Sequence, residues 1–235
     1  IEHDEGSHVL VVRGDPPVDK ILIHTDREQE WDLVRALNEH GIRTPRAHFF
    51  DPTGAHLGTK ALVIDFSDAT SFLPYVAAGG SIEGLPTRLA EALASYHAIP
   101  IESLPPQLER PASWESYLTT RIDECRRTAY AHIEDLPVLR YMAGWLDAHR
   151  PVPVPLTLMH GDFQSANLML THDGHFEILD WELASTGDPR QDLGRRLKVV
   201  VRRARHRTGH EDARVERCRE DHRDALPLAA RQERV

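Results

Sequence analysis

The sequence predicts an α+β fold of two lobes with a cleft between them: a β-rich lobe first, a mainly helical lobe second, and short β-hairpins carrying polar residues at the cleft. Three observations carry this. The first 66 residues read as short apolar strands with one helix among them, and apolar residues recur at helical spacing through the middle of the chain. After the stretch Pro151-Val152-Pro153-Val154-Pro155, the pattern breaks into strands of three to five residues.

Ile1 to Asp4 reads as the end of a strand, Glu5-Gly6-Ser7 as a turn, and His8 to Arg13 as a second strand, which Gly14-Asp15-Pro16-Pro17 stops because proline lacks the ladder donor. From Thr25 to His40 the pattern is helical. Thr25 or Asp26 can cap it, Trp31, Val34 and Leu37 form the apolar stripe, and Gly41 ends it. Arg46 to Phe50 and Ala61 to Phe66 are two further strands, parted by the turn signal Asp51-Pro52-Thr53-Gly54. Leu85 to His97 and Trp114 to His149, broken at Pro137, are helical by the spacing of Leu89, Leu93 and Tyr96, of Ile122 and Cys125, and of Leu139, Met142 and Leu146. Short strands follow at 157–159, 168–170 and 175–179, with His172-Asp173-Gly174 as a hairpin turn.

With 235 residues, 40% of them hydrophobic and 28% charged, no stretch reaches the ~20 continuous apolar residues of a membrane span. Cys125 and Cys218 cannot make a disulfide framework, and no secretory leader opens the chain, so a reducing, cytoplasmic setting is expected. The net charge of −9 divides unevenly, with −15 on residues 1–194 and +6 on residues 195–235. An acidic body argues against a specific nucleic-acid partner, because such affinity rests on neutralising phosphates.

The chemistry concentrates in His160-Gly161-Asp162-Phe163-Gln164-Ser165-Ala166-Asn167, followed thirteen residues later by Asp180-Trp181-Glu182. Two carboxylates and an amide fall at the ends of short strands, where they can converge on one cleft. Phosphoryl transfer needs this set: hard oxygen ligands for Mg²⁺, and a separate carboxylate to orient the attacking hydroxyl. The five-residue step from Asp162 to Asn167 has the spacing of a kinase catalytic loop, which makes Asp162 the base and Asn167 and Asp180 the metal ligands. Read singly, each is an ordinary turn residue making local Asx bonds; the joint spacing is what speaks against that.

The run from Leu158 to Asn167, continued by Ile178-Leu179-Asp180-Trp181-Glu182 through Gly187-Asp188-Pro189-Arg190-Gln191-Asp192-Leu193-Gly194, resembles the aminoglycoside phosphotransferase family. The likeness is strongest to the kinase domains fused to acyl-CoA dehydrogenases, and it extends over about residues 8–194. It implies a protein-kinase-like bilobal fold: a partial N-lobe at 1–66, a C-lobe at 67–194 with the catalytic and metal loops, and a basic tail at 195–235. It also implies ATP as phosphate donor, Mg²⁺ as cofactor and a small-molecule hydroxyl as acceptor. Glu30-Trp31 resembles the family helix whose Glu pairs with a strand cation, here Arg13 where many relatives have Lys. Leu57 to Phe66 resembles the strand leading to the hinge, which places adenine against the backbone around Ile64, Asp65 and Phe66. Asp192 is expected to brace the catalytic loop, His160 to be a structural residue beside it, and Glu182 and Asp188 to support the loop after Asp180.

Two features depart from the family pattern. The glycine-rich loop over the ATP phosphates would precede Asp4, so it lies upstream of residue 1 or is missing, and the tail after Gly194 contains no Trp, Tyr or Phe. These favour an alternative reading, a pseudokinase or nucleotide-binding module without turnover. In the tail, His206, His210, Cys218 and His222 form two i,i+4 pairs of zinc-type donors, within a segment whose plainer reading is a solvated basic helix or disorder.

Overall fold

The computed structural model describes residues 2–3, 6–7, 9–15, 26–131 and 137–194. The expectations for the glycine-rich loop, for the tail after Gly194 and for its histidines lie outside these residues.

Strand β1 (Glu2–His3) pairs with β2 (Gly6–Ser7) in a minimal hairpin. Strands β3 (Leu10–Gly14), β4 (Ala47–Asp51) and β5 (Ala61–Asp65) form an antiparallel sheet with β5 in the centre, so that Arg13 lies opposite Leu62 and Val11 opposite Ile64. Central position explains composition: Ala61, Leu62 and Val63 are buried, while Val12 on the edge strand is exposed. Helix α1 (Arg27–Glu39) is capped by Asp26, whose carboxylate accepts the Glu28 amide at 2.9 Å. The Asp51 turn is more elaborate than its signal suggests. Its carboxylate accepts amides of Thr53, Ala55, His56 and Leu57, and although burial opposes this, those donors hold its pKa at about 2.

The chain leaves the first sheet after Asp65 and enters β6 (Thr70–Ser71), which pairs with β8 (Leu168–Leu170), itself paired with β9 (Phe176–Ile178). The second lobe also contains α2 (Phe72–Ala77), α3 (Leu85–His97), α4 (Trp114–Ala131) and α5 (Pro137–Ala148), and a ladder of β7 (Thr157–Met159) with β10 (Ser185–Gly187). Among the described residues no helix is long and apolar enough to cross a membrane.

One continuous core joins the lobes. Leu33, Val34 and Leu37 of α1 pack with Leu93 and Tyr96 of α3 and with Leu158, Phe163, Leu168, Ile178 and Trp181 around the catalytic segment. Burying these side chains at ~25 cal/mol per Å² of apolar surface locks α1 beside the loops that follow β7 and β9. On α5 the apolar spacing does not translate into burial. Ala143 is buried against α4, but Met142 and Leu146 are exposed, as are Tyr141 and Trp145.

Candidate active site

Strand β7 runs directly into His160-Gly161-Asp162, and the backbone there is pinned from below. Asp192, fully buried, accepts the amides of His160 at 2.9 Å and Gly161 at 3.1 Å. Tyr96 Oη donates to the same carboxylate at 2.9 Å, and His97 Nε2 lies 3.3 Å from it. Burial pushes this carboxyl up, yet the donors converging on it outweigh burial and its pKa is lowered, so it stands as a buried anion. Gly161 has φ +78°, and a Cβ there would sit 2.1 Å from the Leu183 carbonyl oxygen, so only glycine lets the segments after β7 and β9 approach this closely.

His160 stitches the same two loops together. Its Nε2 donates to the Leu179 carbonyl at 2.8 Å, and its Nδ1 accepts the Asp162 amide at 3.2 Å, which fixes a neutral tautomer. Burial lowers its pKa below 6.5 and keeps it neutral. Asp162 Oδ2 accepts from Gln164 Nε2 at 2.7 Å and from Asn167 Nδ2 at 3.1 Å. Asn167 Nδ2 also donates to the Asp162 carbonyl at 3.0 Å, and with its amide group committed to Asp162, its Oδ1 is the atom it can offer a cation.

Asp180 stands one residue past Leu179, whose amide donates to the Asn167 carbonyl at 2.9 Å. Its φ of +70° is the one left-handed backbone value at a non-glycine among the described residues, a strained state of the kind that concentrates at functional sites. The carboxylate takes Arg13 Nη2 at 2.6 Å. Arg13 Nη1 lies 2.9 Å from Glu30 Oε1, and Glu30 Oε2 receives Arg27 Nη1 at 2.5 Å. That same Arg27 nitrogen reaches Glu182 Oε2 at 2.9 Å, which is also 3.3 Å from Arg13 Nη2. The four side chains close a ring of alternating charge. Glu30 is 2% exposed, and burial raises its pKa against the pull of Arg13 and Arg27.

Arg13, Glu30 and Asp180 face a cavity of about 490 Å³, whose apolar walls include Val11, Leu62, Ile64, Met169 and Leu179. That size and lining suit a purine nucleotide. At the hinge, the Asp65 amide is bonded to the Arg46 carbonyl at 3.0 Å and the Phe66 amide to the Val9 carbonyl at 3.2 Å. Those two donors are spent on backbone carbonyls, while Ile64, Asp65 and Phe66 all line the cavity. Asp65 Oδ1 also meets His48 Nε2 at 2.6 Å. Asp188 lies outside the cavity lining. It accepts Trp114 Nε1 at 3.0 Å and the Arg190 amide at 2.9 Å, and thus anchors the segment after the metal loop to α4.

Residues 4–229 match the profile of the APH phosphotransferase enzyme family. The chain belongs to that family. Acyl-CoA dehydrogenase family member 11 of Gallus gallus is 30% identical over 201 residues, covering 80% of this chain and 25% of that protein, so the chain spans a quarter of the length of this relative. Among solved structures, a macrolide 2′-phosphotransferase from Brachybacterium faecium superposes with a TM-score of 0.58 at 21% identity, covering 82% of this chain and 64% of its own. A choline/ethanolamine kinase family protein from Mesorhizobium loti gives 0.57 at 23%, covering 81% and 58%. The fold is the kinase-like bilobal fold of these phosphotransferases.

Arg27 is a residue of this ion-paired cluster that sequence reasoning passed over. Its signal was the i,i+3 step to Glu30, which by itself reads as an ordinary exposed helix pair. Tyr96 and His97 were also missed as partners of Asp192, because nothing in a helical stripe marks which aromatic carries a buried hydrogen bond.

Proposed function

We propose that this chain is an ATP- and Mg²⁺-dependent kinase that phosphorylates a hydroxyl of a small molecule. The observation that carries the reading is that Arg13, Glu30 and Asp180 line one cavity, while the Asp162–Asn167 loop, held together by its own hydrogen bond, is joined to the segment before Asp180 through the Leu179 amide and the Asn167 carbonyl. Family membership supports the reaction class. The donor set suits Mg²⁺, which takes hard oxygens from one or two side chains and leaves its remaining positions to phosphates and water. Asn167 Oδ1 and Asp180 would hold it, and when bound it neutralises the phosphate charge that builds in the transition state.

The protein's own groups supply the rest. Asp162 orients the acceptor hydroxyl in line with the γ-phosphorus and takes its proton as the new O–P bond forms. The bond from that phosphorus to the bridging oxygen breaks, and ADP leaves with the electron pair. Arg13 supplies a permanent positive charge for the nucleotide phosphates, and the apolar walls around Leu62 and Met169 take the base. His160 and Asp192 hold the catalytic loop without touching substrate. The acidic balance of residues 1–194 favours cationic acceptors, such as amino alcohols and aminoglycosides, over anionic ones.

Transfer of labelled phosphate from ATP to a panel of small alcohols, amino alcohols and sugars tests this. Asp162→Asn keeps size and hydrogen bonding but removes the charge, so nucleotide affinity should persist while transfer falls by roughly 10²-fold or more. Nucleotide binding with no transfer to any acceptor would establish the pseudokinase reading instead, and a fully active Asp162→Asn protein would remove Asp162 from its role.

A further inference from the structure

We propose that Arg27 is a positioning residue for nucleotide binding: by bridging Glu30 and Glu182 it keeps both carboxylates paired, so that Arg13 can turn from Asp180 to the nucleotide phosphates. This rests on the phosphotransferase reading above.

Arg13 alone faces Glu30, Glu182 and Asp180 at 2.9, 3.3 and 2.6 Å. A single cation held by three carboxylates already has its charge more than matched. If it moved toward a phosphate, Glu30 would be stranded, and an unpaired carboxylate at 2% exposure is among the costliest groups a fold can hold. Arg27 removes that obstacle. Its side chain is itself only 7% exposed, and one of its nitrogens, Nη1, reaches Glu30 Oε2 at 2.5 Å and Glu182 Oε2 at 2.9 Å together. Its Nε lies 3.3 Å from Asp15 Oδ1, beyond the end of β3, without the alignment of a hydrogen bond. Arg27 therefore ties the first turn of α1, the strand that carries Arg13 and the loop after Asp180 into one unit, and leaves Arg13 as the movable member.

Such a role separates from simple stability in the kinetics. Loss of folded protein lowers kcat and leaves both Michaelis constants alone. Loss of Arg27 should instead pin Arg13 on Glu30 and Glu182, raising the nucleotide KM and leaving the acceptor KM unchanged. Because a single nitrogen makes both contacts, a lysine ammonium with three donors can replace much of the bridge.

The experiment compares wild type, Arg27→Gln, Arg27→Lys and Glu182→Gln in the full chain. It reads Mg-ATP affinity by fluorescence titration, KM and kcat for both substrates, and Tm. Arg27→Gln should lose about tenfold in nucleotide affinity, and Arg27→Lys should recover to within about threefold of wild type. Glu182→Gln, on a partly exposed side chain, removes one of the carboxylates that hold Arg13 while leaving the buried Arg27–Glu30 pair in place, so it should tighten nucleotide binding by about threefold, which keeps the test open if Arg27→Gln does not fold. Wild-type nucleotide affinity in Arg27→Gln, or affinity no better than wild type in Glu182→Gln, would overturn the role of Arg27 and leave the kinase reading standing. A wild-type protein that binds no nucleotide would overturn that reading, and this inference with it.

Discussion

His160 has both ring nitrogens committed, one to the Leu179 carbonyl and one to the Asp162 amide, so protonation would break the second bond and place a cation in a buried site. Asp162, Asp180 and Asp192 lie near enough to favour the charged form, yet burial dominates and the pKa falls below 6.5. The sign of the stability effect follows. Below about pH 6.5 the unfolded chain takes up a proton at this position that the folded chain refuses, so the stability His160 contributes is complete above that pH and is lost as pH falls toward the folded pKa. The slope from one such group is at most about 1.4 kcal/mol per pH unit. Thermal melts of wild type and His160→Gln between about pH 7.5 and 5 should show a steeper decline for wild type. Parallel curves would mean that the ring titrates in place. Asp192, whose pKa is lowered, acts in a separate window: its contribution is present above its ordinary 3.8 and disappears only in stronger acid.

At the scale of elements, two glycines with the same backbone angle make a matched pair. Gly161 and Gly174 both have φ +78°, so alanine pays a similar left-handed penalty at each, of order 1 kcal/mol. Their surroundings differ. A Cβ at 161 meets the fixed Leu183 carbonyl at 2.1 Å, whereas at 174 it meets the Arg88 guanidinium at 2.3 Å, the far end of a flexible side chain. Gly161→Ala should therefore destabilise by about 2 kcal/mol more than Gly174→Ala and abolish transfer, as read by urea midpoints and the phosphate assay. Equal midpoints would show that the two loops can separate freely. The hairpin turn at Gly174 was legible in the sequence, as were α1, α3 and the helical character of α5 from Pro137, because helical spacing and turn residues are local signals. Strands β6 and β10 were not, since two or three residues carry no period and take their conformation from the partner strand. The exposure of Met142 and Leu146 was equally hidden: spacing marks a stripe on a helix, and only the packing of α5 against α4 decides which side is covered. The pairing of the Asp65 and Phe66 amides with the Arg46 and Val9 carbonyls is a long-range fact that no local pattern encodes.

At the scale of the whole molecule, the first lobe holds Arg13 and Glu30, the second holds Asp162, Asn167 and Asp180, and the ion-paired ring is the polar link between them at the cleft. A ligand that contacts both sides binds the folded chain and not the unfolded one, so it must stabilise the fold by mass action, by about 2.7 kcal/mol at a hundred times its Kd. For a domain of this size that corresponds to a rise in Tm of roughly 5–10 °C. Saturating Mg-ATP should produce such a rise in wild type. Asp180→Ala should lose most of it, because the variant removes both a metal ligand and the partner of Arg13, while Asp162→Asn should keep it in full, because that carboxylate faces the acceptor. The pair separates nucleotide binding from phosphate transfer without requiring that the acceptor be known. A kinase shows the rise, its loss in Asp180→Ala and its persistence in Asp162→Asn, with transfer abolished in the first variant and lowered by roughly 10²-fold or more in the second. A nucleotide-binding module shows the same three melts and no transfer in wild type. A rise in Tm that survives Asp180→Ala undiminished would place the nucleotide away from this cleft and refute the assignment of Asp180.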